Sequence, residues 1–296
     1  MDATDDPLHG NQEGRFFHGY YMNYCYLPLY IFCGEFLLGA RLRSSNIDAS
    51  EGTVEELERI VGQIRAAWPG VKIVVRGDSG FCRDNIMSWC EARKVDYVLG
   101  FAKNERLKAI IAEELKRAQQ QYEETLEASR VFKDFRYQTR ESWTLERRVV
   151  AKAEHLDKGS NPRFIVTSIE MEQMDARTLY EQLYCARGNM ENRIKEQQLW
   201  LFADRTSTAL MRSNQLRLWF SSVAYVLIAE LRRIGLKGTE MEKAQVGTIR
   251  TKLFKIGALV KVSVRRVLIT MSSAYPHAGL FNQIVTNIRL QYPLLT

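Results

Sequence analysis

Ten residues decide the fold of this chain: Val71-Lys-Ile-Val-Val-Arg-Gly-Asp-Ser-Gly80. A short apolar, β-branched run is typical of a buried strand, so residues 71–75 are predicted to form one. Asp78 follows between two glycines, which permit a sharp turn and a close backbone approach. Ligands of α/β sheets bind outside the carboxyl ends of strands, which makes Asp78 a candidate site residue. An aspartate in this position is also a common helix or turn cap, and that alternative stays open.

The segment before this strand predicts a β-hairpin. Residues 20–33 and 36–43 are rich in aromatic and β-branched types, and Gly34-Glu35 separates them. The series of tyrosines from Tyr20 to Tyr30 is interpreted as sheet packing. Pro28 lies inside the first arm and predicts an edge position or a bulge there.

Helices and strands alternate after the hairpin. Thr53-x-x-Glu56 is a capping-box pattern, which predicts the start of a helix that ends before Pro69. Residues 83–93 are predicted to form a second helix, and residues 97–101 a further strand. This order predicts an α/β core in which at least part of the sheet is parallel.

The rest of the chain is predicted to be an insertion, a return to the core and a basic tail. Residues 105–129 are strongly helical and charged in composition, and three strand-like segments follow at 131–139, 142–153 and 163–169. Helices are predicted at 176–202, 216–234 and 278–290, and a strand around 259–270. The predicted parts are 1–104 (first part of the core), 105–170 (inserted subdomain), 171–235 (second part of the core) and 236–296 (C-terminal region).

Positive charge is concentrated in the C-terminal part of the chain. The net charge is +7, and residues 181–296 contain 17 lysines and arginines against 7 acids. A basic region of this kind is the expected footprint of a polyanion partner. A basic stretch is predicted to contact the DNA backbone, with a solvated basic face as the open alternative. It comprises Lys237, Lys243, Arg250, Lys252, Lys255, Lys261, Arg265 and Arg266.

Several classes of protein are disfavoured by the composition. No apolar run reaches the roughly 18 residues that a membrane span requires, and the acidic N-terminus is unlike a signal peptide. The protein is therefore expected in the cytosol, without a membrane partner. The five cysteines include no Cys-x-x-Cys pair, so reduced, packed cysteines are predicted rather than a zinc site or a disulfide framework.

The helix at 176–202 carries a pattern of polar residues. Arg187, Glu191, Lys195 and Gln198 lie 3, 7, 11 and 14 positions after Tyr184, which predicts one polar face on a regular helix. A solvated surface helix would show the same pattern. In a functional reading, Glu191 binds a metal ion while Arg187 and Lys195 hold phosphates on either side, and Tyr184 contacts the nucleic acid.

Metal-dependent phosphodiester chemistry explains why such acids would be needed. Two divalent ions, about 3.5–4 Å apart, stabilise the attacking and the leaving oxygen. Magnesium prefers carboxylate ligands, so about three acidic side chains must converge.

The motifs resemble the DDE transposases of bacterial insertion sequences. The resemblance is to the branch with a Tyr-x-x-Arg-x-x-x-Glu signature, which Tyr184, Arg187 and Glu191 match, and with a β-rich insertion before the third acid. Asp78 in Arg-Gly-Asp-Ser-Gly matches the second acid, and Glu191 follows it by 113 positions, which suits an inserted subdomain. The start of the chain, through Phe-Phe-His-Gly-Tyr-Tyr21, is also similar to this branch.

This resemblance implies a ribonuclease H-like α/β core, interrupted by the inserted subdomain and followed by a mainly helical basic region. It implies metal-dependent cleavage and strand transfer of DNA, with two Mg²⁺ or Mn²⁺ ions held by Asp2, Asp78 and Glu191. Asp5 and Asp6 are alternatives to Asp2 as the first acid. Tyr184, Arg187 and Lys195 are the implied DNA contacts, with Lys195 replacing a lysine that the wider signature has at Gln198.

The resemblance also implies partners. These are double-stranded DNA, as terminal inverted repeats and as target, and a second copy of the chain in a homodimer on DNA, at the nucleoid of the bacterial cytosol. Asp2 follows only Met1, whereas the family's first acid ends a complete strand. The chain is therefore expected to be an N-terminally truncated transposase. The alternative is an inactive remnant that only binds DNA or its parent transposase.

Overall fold

The computed structural model describes residues 1–293, apart from the side chains of Arg187 and Asn189. The chain divides into two units, each built from segments that are distant in sequence. The first comprises Met1–Leu8, Gly14–Ile31 and Arg41–Glu191, and the second comprises His9–Glu13, Phe32–Ala40 and Asn192–Thr296.

Six short strands begin the chain. They are β1 (Asp2–Ala3), β2 (Asp6–Pro7), β3 (Phe16–His18), β4 (Asn23–Tyr26), β5 (Leu29–Cys33) and β6 (Phe36–Arg41). Two three-stranded sheets result, with the orders β1-β5-β6 and β2-β4-β3. The predicted first arm is broken near Pro28, and its two halves belong to different sheets. Proline accounts for the break because it has no amide to donate to a continuous ladder.

The strand predicted before Asp78 is β7 (Val74–Gly77), which begins later than predicted. It pairs in parallel with β8 (Asp96–Phe101), with Gly77 opposite Leu99. The middle of β8 is fully buried, as expected for a strand covered on both faces. The predicted parallel pair is confirmed.

Four strands of the predicted inserted subdomain continue the same sheet, and the sequence predicts all of them except the two-residue strand at Gly159–Ser160. They are β9 (Ser129–Tyr137), β10 (Arg147–Leu156), β11 (Gly159–Ser160) and β12 (Arg163–Thr167). β12 is antiparallel to β8, and β10 is antiparallel to β9, β11 and β12. The order β11-β10-β12-β8-β7, with β9 also on β10, makes a mixed sheet. This mixed α/β architecture is consistent with a ribonuclease H-like fold.

Four helices accompany these strands. They are α1 (Thr53–Ala67), α2 (Asp84–Ala92), α3 (Glu105–Ile110) and α4 (Ala112–Thr125). α1 buries Leu57, Ile60 and Val61, whose spacing places them on one helical face. The predicted positions of α1 and α2 are confirmed to within a few residues.

The predicted capping box at the start of α1 is wrong. Gly52 is the N-cap residue, with φ of 71°, and Thr53 already lies inside the helix. The Thr53 hydroxyl is buried and has no hydrogen-bond partner in the described structure. Glu56 pairs with Arg59 at 2.9 Å instead of returning to the cap. The left-handed conformation suits glycine, so Gly52 sets the start of the helix.

The predicted helix at 176–202 is present but irregular. It consists of α5 (Ala176–Thr178), a π-helical segment (Leu179–Tyr184), a 3₁₀ turn (Cys185–Gly188), α6 (Asn189–Lys195) and a second π-helical segment (Glu196–Trp200). These forms differ in the number of residues per turn. The predicted single polar face from Tyr184 to Gln198 therefore does not hold, because it required a regular α-helix.

The second unit contains the C-terminal helices and a separate hairpin. The elements are α7 (Met211–Glu230), a π-helical segment (Leu231–Gly235), α8 (Val246–Ile249), a π-helical segment (Arg250–Phe254), β13 (Ala258–Val262), β14 (Val267–Met271) and α9 (Ala278–Gln291). A core cluster joins α7, α8 and α9. It contains Ile228, Leu236, Met241, Val246, Ile249, Leu253 and Ile284. The strand predicted around 259–270 is in fact the antiparallel pair β13–β14.

Two further predictions concern the whole chain. Within the described residues, no helix combines the length and the hydropathy that crossing a membrane would require. All five cysteines are free; Cys25 and Cys90 are buried, whereas Cys33 and Cys185 are exposed. The prediction of packed cysteines is therefore wrong for the two exposed residues.

Candidate active site

Asp78 lies at the carboxyl end of β7, where the sequence predicted a ligand site. It is half-buried and caps the 3₁₀ turn Ser79–Phe81. One carboxylate oxygen, Oδ1, accepts a hydrogen bond from the amide of Gly80 at 2.9 Å. The turn-cap role is therefore real. It fixes the carboxylate at the end of the strand, which a catalytic role would also require.

Asp2 lies beside the strand that leads to Asp78. The N-terminal ammonium of Met1 donates to the carbonyl oxygen of Arg76, in β7, at 2.8 Å. On its other side, β1 pairs with β5, with Asp2 opposite Tyr30. Asp2 is 9% exposed, and its Oδ1 accepts from the amide of Ala3 at 3.0 Å. The structure thus brings the predicted first and second acids to neighbouring strands.

The pKa of the Tyr21 hydroxyl depends on several of these acids. Burial is the largest cause of a raised pKa at Tyr21 and, together with the negative charges of Asp5, Asp2 and, more weakly, Asp78, brings it to about 12. Charges act strongly on a neighbour only over short distances in water. The charges of three carboxylates therefore act on the Tyr21 hydroxyl. The sequence had placed Tyr21 in sheet packing, and no pattern in it indicated this environment.

The two alternatives for the first acid have different surroundings. Asp5 accepts a hydrogen bond from the Asn23 side-chain amide at 3.1 Å and is half-buried. Asp6 is only 1% exposed and lies on β2, opposite Tyr26 in the other small sheet. Asp2 is the acid whose strand pairs with β5 and whose neighbour Met1 bonds to β7.

The helix that carries Tyr184 and Glu191, called the signature helix below, contacts the sheet at the carboxyl ends of β7 and β8. Arg76 donates from Nη1 to the carbonyl oxygen of Leu183 at 2.7 Å. The Tyr184 hydroxyl packs against Gly100 of β8, where an added Cβ would lie 2.6 Å from that oxygen and 2.9 Å from the Ser79 amide nitrogen. Only glycine leaves this space. Arg76 and Gly100 thus contact this helix, and no sequence motif indicates either contact, although Arg76 lies within the stretch Val71–Gly80.

The remaining predicted residues lie further along the helix. Glu191 is exposed in α6, seven positions after Tyr184, and Lys195 is exposed at the end of α6. The side chain of Arg187 lies outside the described residues. Tyr184 is thus the member of the signature whose contacts place it against β8.

The metal that the motif implies would need about three acidic ligands at one point. Within residues 1–293, no three aspartate, glutamate, histidine or cysteine side chains lie close enough together to hold an ion. Asp2 and Asp78 nevertheless supply carboxylate oxygens, which Mg²⁺ and Mn²⁺ prefer. The donor chemistry of these two acids therefore fits a divalent cation, whereas Glu191 is not brought to them by the contacts described.

Comparison with known proteins supplies the family. A search of curated proteins found no match to this chain. A sequence model for one protein family matches residues 1–292, which is nearly the whole chain and includes both acids at the sheet edge and the signature helix. The chain therefore belongs to the family described as transposase DDE domain, group 1.

Proposed function

We propose that this chain is a DNA transposase in which Asp2, Asp78 and Glu191 serve metal-dependent cleavage and strand transfer at the ends of an insertion sequence. The observation that carries the proposal is the position of Asp78 at the carboxyl end of β7, a strand to which Met1, the neighbour of Asp2, is bonded through Arg76. Membership of the family supports the reaction class.

The three carboxylates would hold two Mg²⁺ or Mn²⁺ ions, which supply charge stabilisation for the attacking and leaving oxygens when bound. The chain's own residues hold the carboxylates in place. Asp2 lies on β1, which pairs with β5, and the preceding Met1 bonds to Arg76 of β7. Asp78 is held by the bond from Gly80. Arg76 and Gly100 hold the signature helix against the sheet.

Duplex DNA is the proposed substrate, as the terminal inverted repeats of the element and as the target. Tyr184, Arg187 and Lys195 are the proposed DNA contacts, the two cations through phosphate oxygens. A homodimer on DNA is proposed because the two ends of an element must be cleaved and joined together.

The test uses the full chain and duplexes that carry the DNA flanking its coding sequence. With Mg²⁺ or Mn²⁺, the wild-type protein is expected to nick these duplexes and to join the cleaved ends to a target plasmid. Asp78→Asn, Glu191→Gln and Asp2→Asn should each reduce nicking by about a hundredfold or more, because each removes a charge that acts in the transition state. Binding of the same duplexes should persist.

The control variant is Glu172→Gln, which removes one exposed carboxylate of the first unit outside the candidate site. It should nick at the wild-type rate. If Asp78→Asn or Glu191→Gln nicks DNA as fast as the wild type, the proposed catalytic role of that acid is wrong. Wild-type protein that binds these duplexes without nicking them would instead favour the binding-only remnant.

A further inference from the structure

The hairpin β13–β14 is unlike every other strand pair in the described part of the chain, because all ten of its residues are exposed. Its turn consists of Ser263-Val264-Arg265-Arg266, closed by the Ser263 amide donating to the Arg266 carbonyl at 2.8 Å. Val264 at the tip is fully exposed. An isolated two-stranded hairpin is marginally stable in water, so a ribbon with no cover on either face is suited to a partner.

The positive charge of this segment indicates a negatively charged partner. Residues 243–296 contain eight lysines and arginines and no aspartate or glutamate. Lys261 on β13 and the tip residues Arg265 and Arg266 therefore have no acid within their own segment. The preceding helical region differs, because Arg232 pairs with Glu196 at 2.5 Å and Arg233 with Glu230 at 2.7 Å.

The base of the ribbon is anchored. The Ser272 amide donates to the carbonyl of Gly257 at 3.2 Å, which closes the ladder at its foot. The Tyr275 hydroxyl donates to the carbonyl of Lys252, and the helical segment just before the ribbon contributes Leu253 to the core cluster. A packed core therefore supports an arm whose strands and tip are exposed.

We propose that β13–β14 is a DNA-binding arm that enters the major groove of duplex DNA, with Arg265 and Arg266 at its tip. This inference rests on the proposed function and adds to it a surface outside the candidate active site. The major groove, about 12 Å wide and about 8.5 Å deep, admits a two-stranded β-ribbon. Five residues at about 3.3 Å each give strands of about 17 Å, which is longer than the groove is deep.

The side chains of the arm match the surfaces of such a groove. Arginine binds phosphates and the guanine edge in bidentate fashion, and Lys261 lies further back on the strand, where it can reach a phosphate. Val264 lies between Ser263 and the two arginines, and a small apolar side chain there can contact the thymine methyl group. A protein partner would need acidic groups opposite the same cations, whereas duplex DNA carries a phosphate charge about every 1.7 Å of its axis.

The experiment measures the affinity of the full chain for a fluorescein-labelled duplex over a series of KCl concentrations. Arg265→Ala/Arg266→Ala should weaken binding about tenfold and reduce the slope of log affinity against log salt by about 1 to 2. The matched control is Lys72→Ala/Lys158→Ala, which removes two exposed lysines of the first unit and the same charge. The control should retain the wild-type slope. Competition with a minor-groove ligand should leave wild-type binding unchanged.

The outcomes separate this inference from the proposed function. If the wild type binds DNA and the double arginine variant has the same affinity and the same slope, the DNA-binding role of the arm is disproved. The transposase proposal is not affected by that result. Displacement by the minor-groove ligand would exclude the major groove. A changed sedimentation coefficient with unchanged DNA affinity would assign the arm to contacts between copies of the chain. Failure of the wild type to bind any duplex would remove both proposals.

Discussion

Two antiparallel strands in this protein have similar, mainly apolar sequences, but one is buried and the other is exposed. β12 has the sequence Arg163-Phe-Ile-Val-Thr167, and β14 has the sequence Val267-Leu-Ile-Thr-Met271. The four residues of β12 after Arg163 are buried against β8 and β10, whereas every residue of β14 is exposed. Local sequence therefore predicts that both segments are strands, but it does not predict what covers them.

The difference indicates different roles. In the first unit, burial positions β7 and β8 so that Asp78, Gly100 and Tyr184 meet with defined distances. In the arm, apolar and cationic side chains remain open to a partner. We infer that the first unit serves chemistry, which requires rigid positions, and that the arm serves binding, which requires access.

The largest expected effect is on amide hydrogen exchange. Amides of β12, such as those of Ile165 and Val166, should exchange only with global unfolding, because the strand is buried in the middle of the sheet. Amides of β13 and β14 should exchange through local opening, about four orders of magnitude faster. Exchange of the full chain, followed by mass spectrometry, measures both. Equal protection of the two regions would show that the arm is covered in the free protein.

The same substitution should have different energetic consequences in the two regions. Arg148 in β10 is 2% exposed, forms an ion pair with Asp134 and donates to the carbonyls of Ile169 at 2.7 Å and Met174 at 3.0 Å. Arg148→Ala should lower the free energy of unfolding by about 3–5 kcal/mol, because it removes a buried guanidinium and leaves the half-buried Asp134 carboxylate and two carbonyl groups without this partner. Arg266→Ala should change it by less than about 0.5 kcal/mol.

Urea denaturation of both variants measures this contrast. A loss at Arg266 comparable to the loss at Arg148 would mean that the tip arginine is part of the folded core. A small effect at Arg148 would mean that the sheet tolerates an uncompensated Asp134.

Most of the fold could be predicted from the sequence, because apolar periodicity survives in the folded chain. The strand before Asp78, the helices α1 and α2 and the strands β9, β10 and β12 follow from it, whereas β11 lies outside the predicted strand segments. The prediction of a capping box was wrong because Gly52, in the left-handed conformation, is the N-cap residue instead of Thr53. The prediction of one regular polar face was wrong because the helix contains π-helical and 3₁₀ segments. Contacts with distant residues, such as Arg76 to Leu183, occur in this part of the helix, and local sequence does not predict them.

The candidate site was predicted in part. Asp78 and Tyr184 were found because a strand end and a spaced motif are local features. Tyr21 and Gly100 were missed because their roles depend on contacts between residues far apart in the chain. The hairpin was missed because the turn at Ser263 to Arg266 contains no glycine, proline or asparagine, which are the usual signals of a turn.

Added methyl groups should have unequal effects at two glycines. An added Cβ at Gly100 meets the Tyr184 hydroxyl at 2.6 Å and the Asp78 carbonyl carbon at 3.1 Å, whereas an added Cβ at Gly257, at the foot of the arm, meets nothing within 4 Å. Gly100→Ala should therefore cost about 1–3 kcal/mol of unfolding free energy through overpacking. Gly257→Ala should cost little or add slightly to stability.

A second variant tests the cause of the Gly100 effect. Tyr184→Phe removes the hydroxyl that the methyl group would meet, so Gly100→Ala should cost less in the Tyr184→Phe background than in the wild type. Thermal denaturation of the four proteins in this cycle measures the coupling. Strict additivity would mean that the tyrosine does not pack on Gly100.

The smallest expected effect concerns two tyrosines. Three carboxylates contribute to the raised pKa of Tyr21, about 12, whereas burial alone raises the pKa of Tyr275 at the foot of the arm. Removing a negative charge should lower the pKa of Tyr21, most for Asp5→Asn, less for Asp2→Asn and least for Asp78→Asn. Tyr275 should not respond. Ultraviolet difference titrations, with Tyr21→Phe and Tyr275→Phe as references, measure both groups.

The sign of the accompanying stability change follows from linkage. Because the folded state keeps the Tyr21 proton up to about pH 12 and the unfolded state loses it near the ordinary value of 10, this contribution is present below pH 10 and is lost as the pH rises to 12. Asp5→Asn should shift that loss to lower pH. A Tyr21 pKa that responds to none of the three substitutions would show that the charges of these aspartates lie too far from the hydroxyl to act on it together.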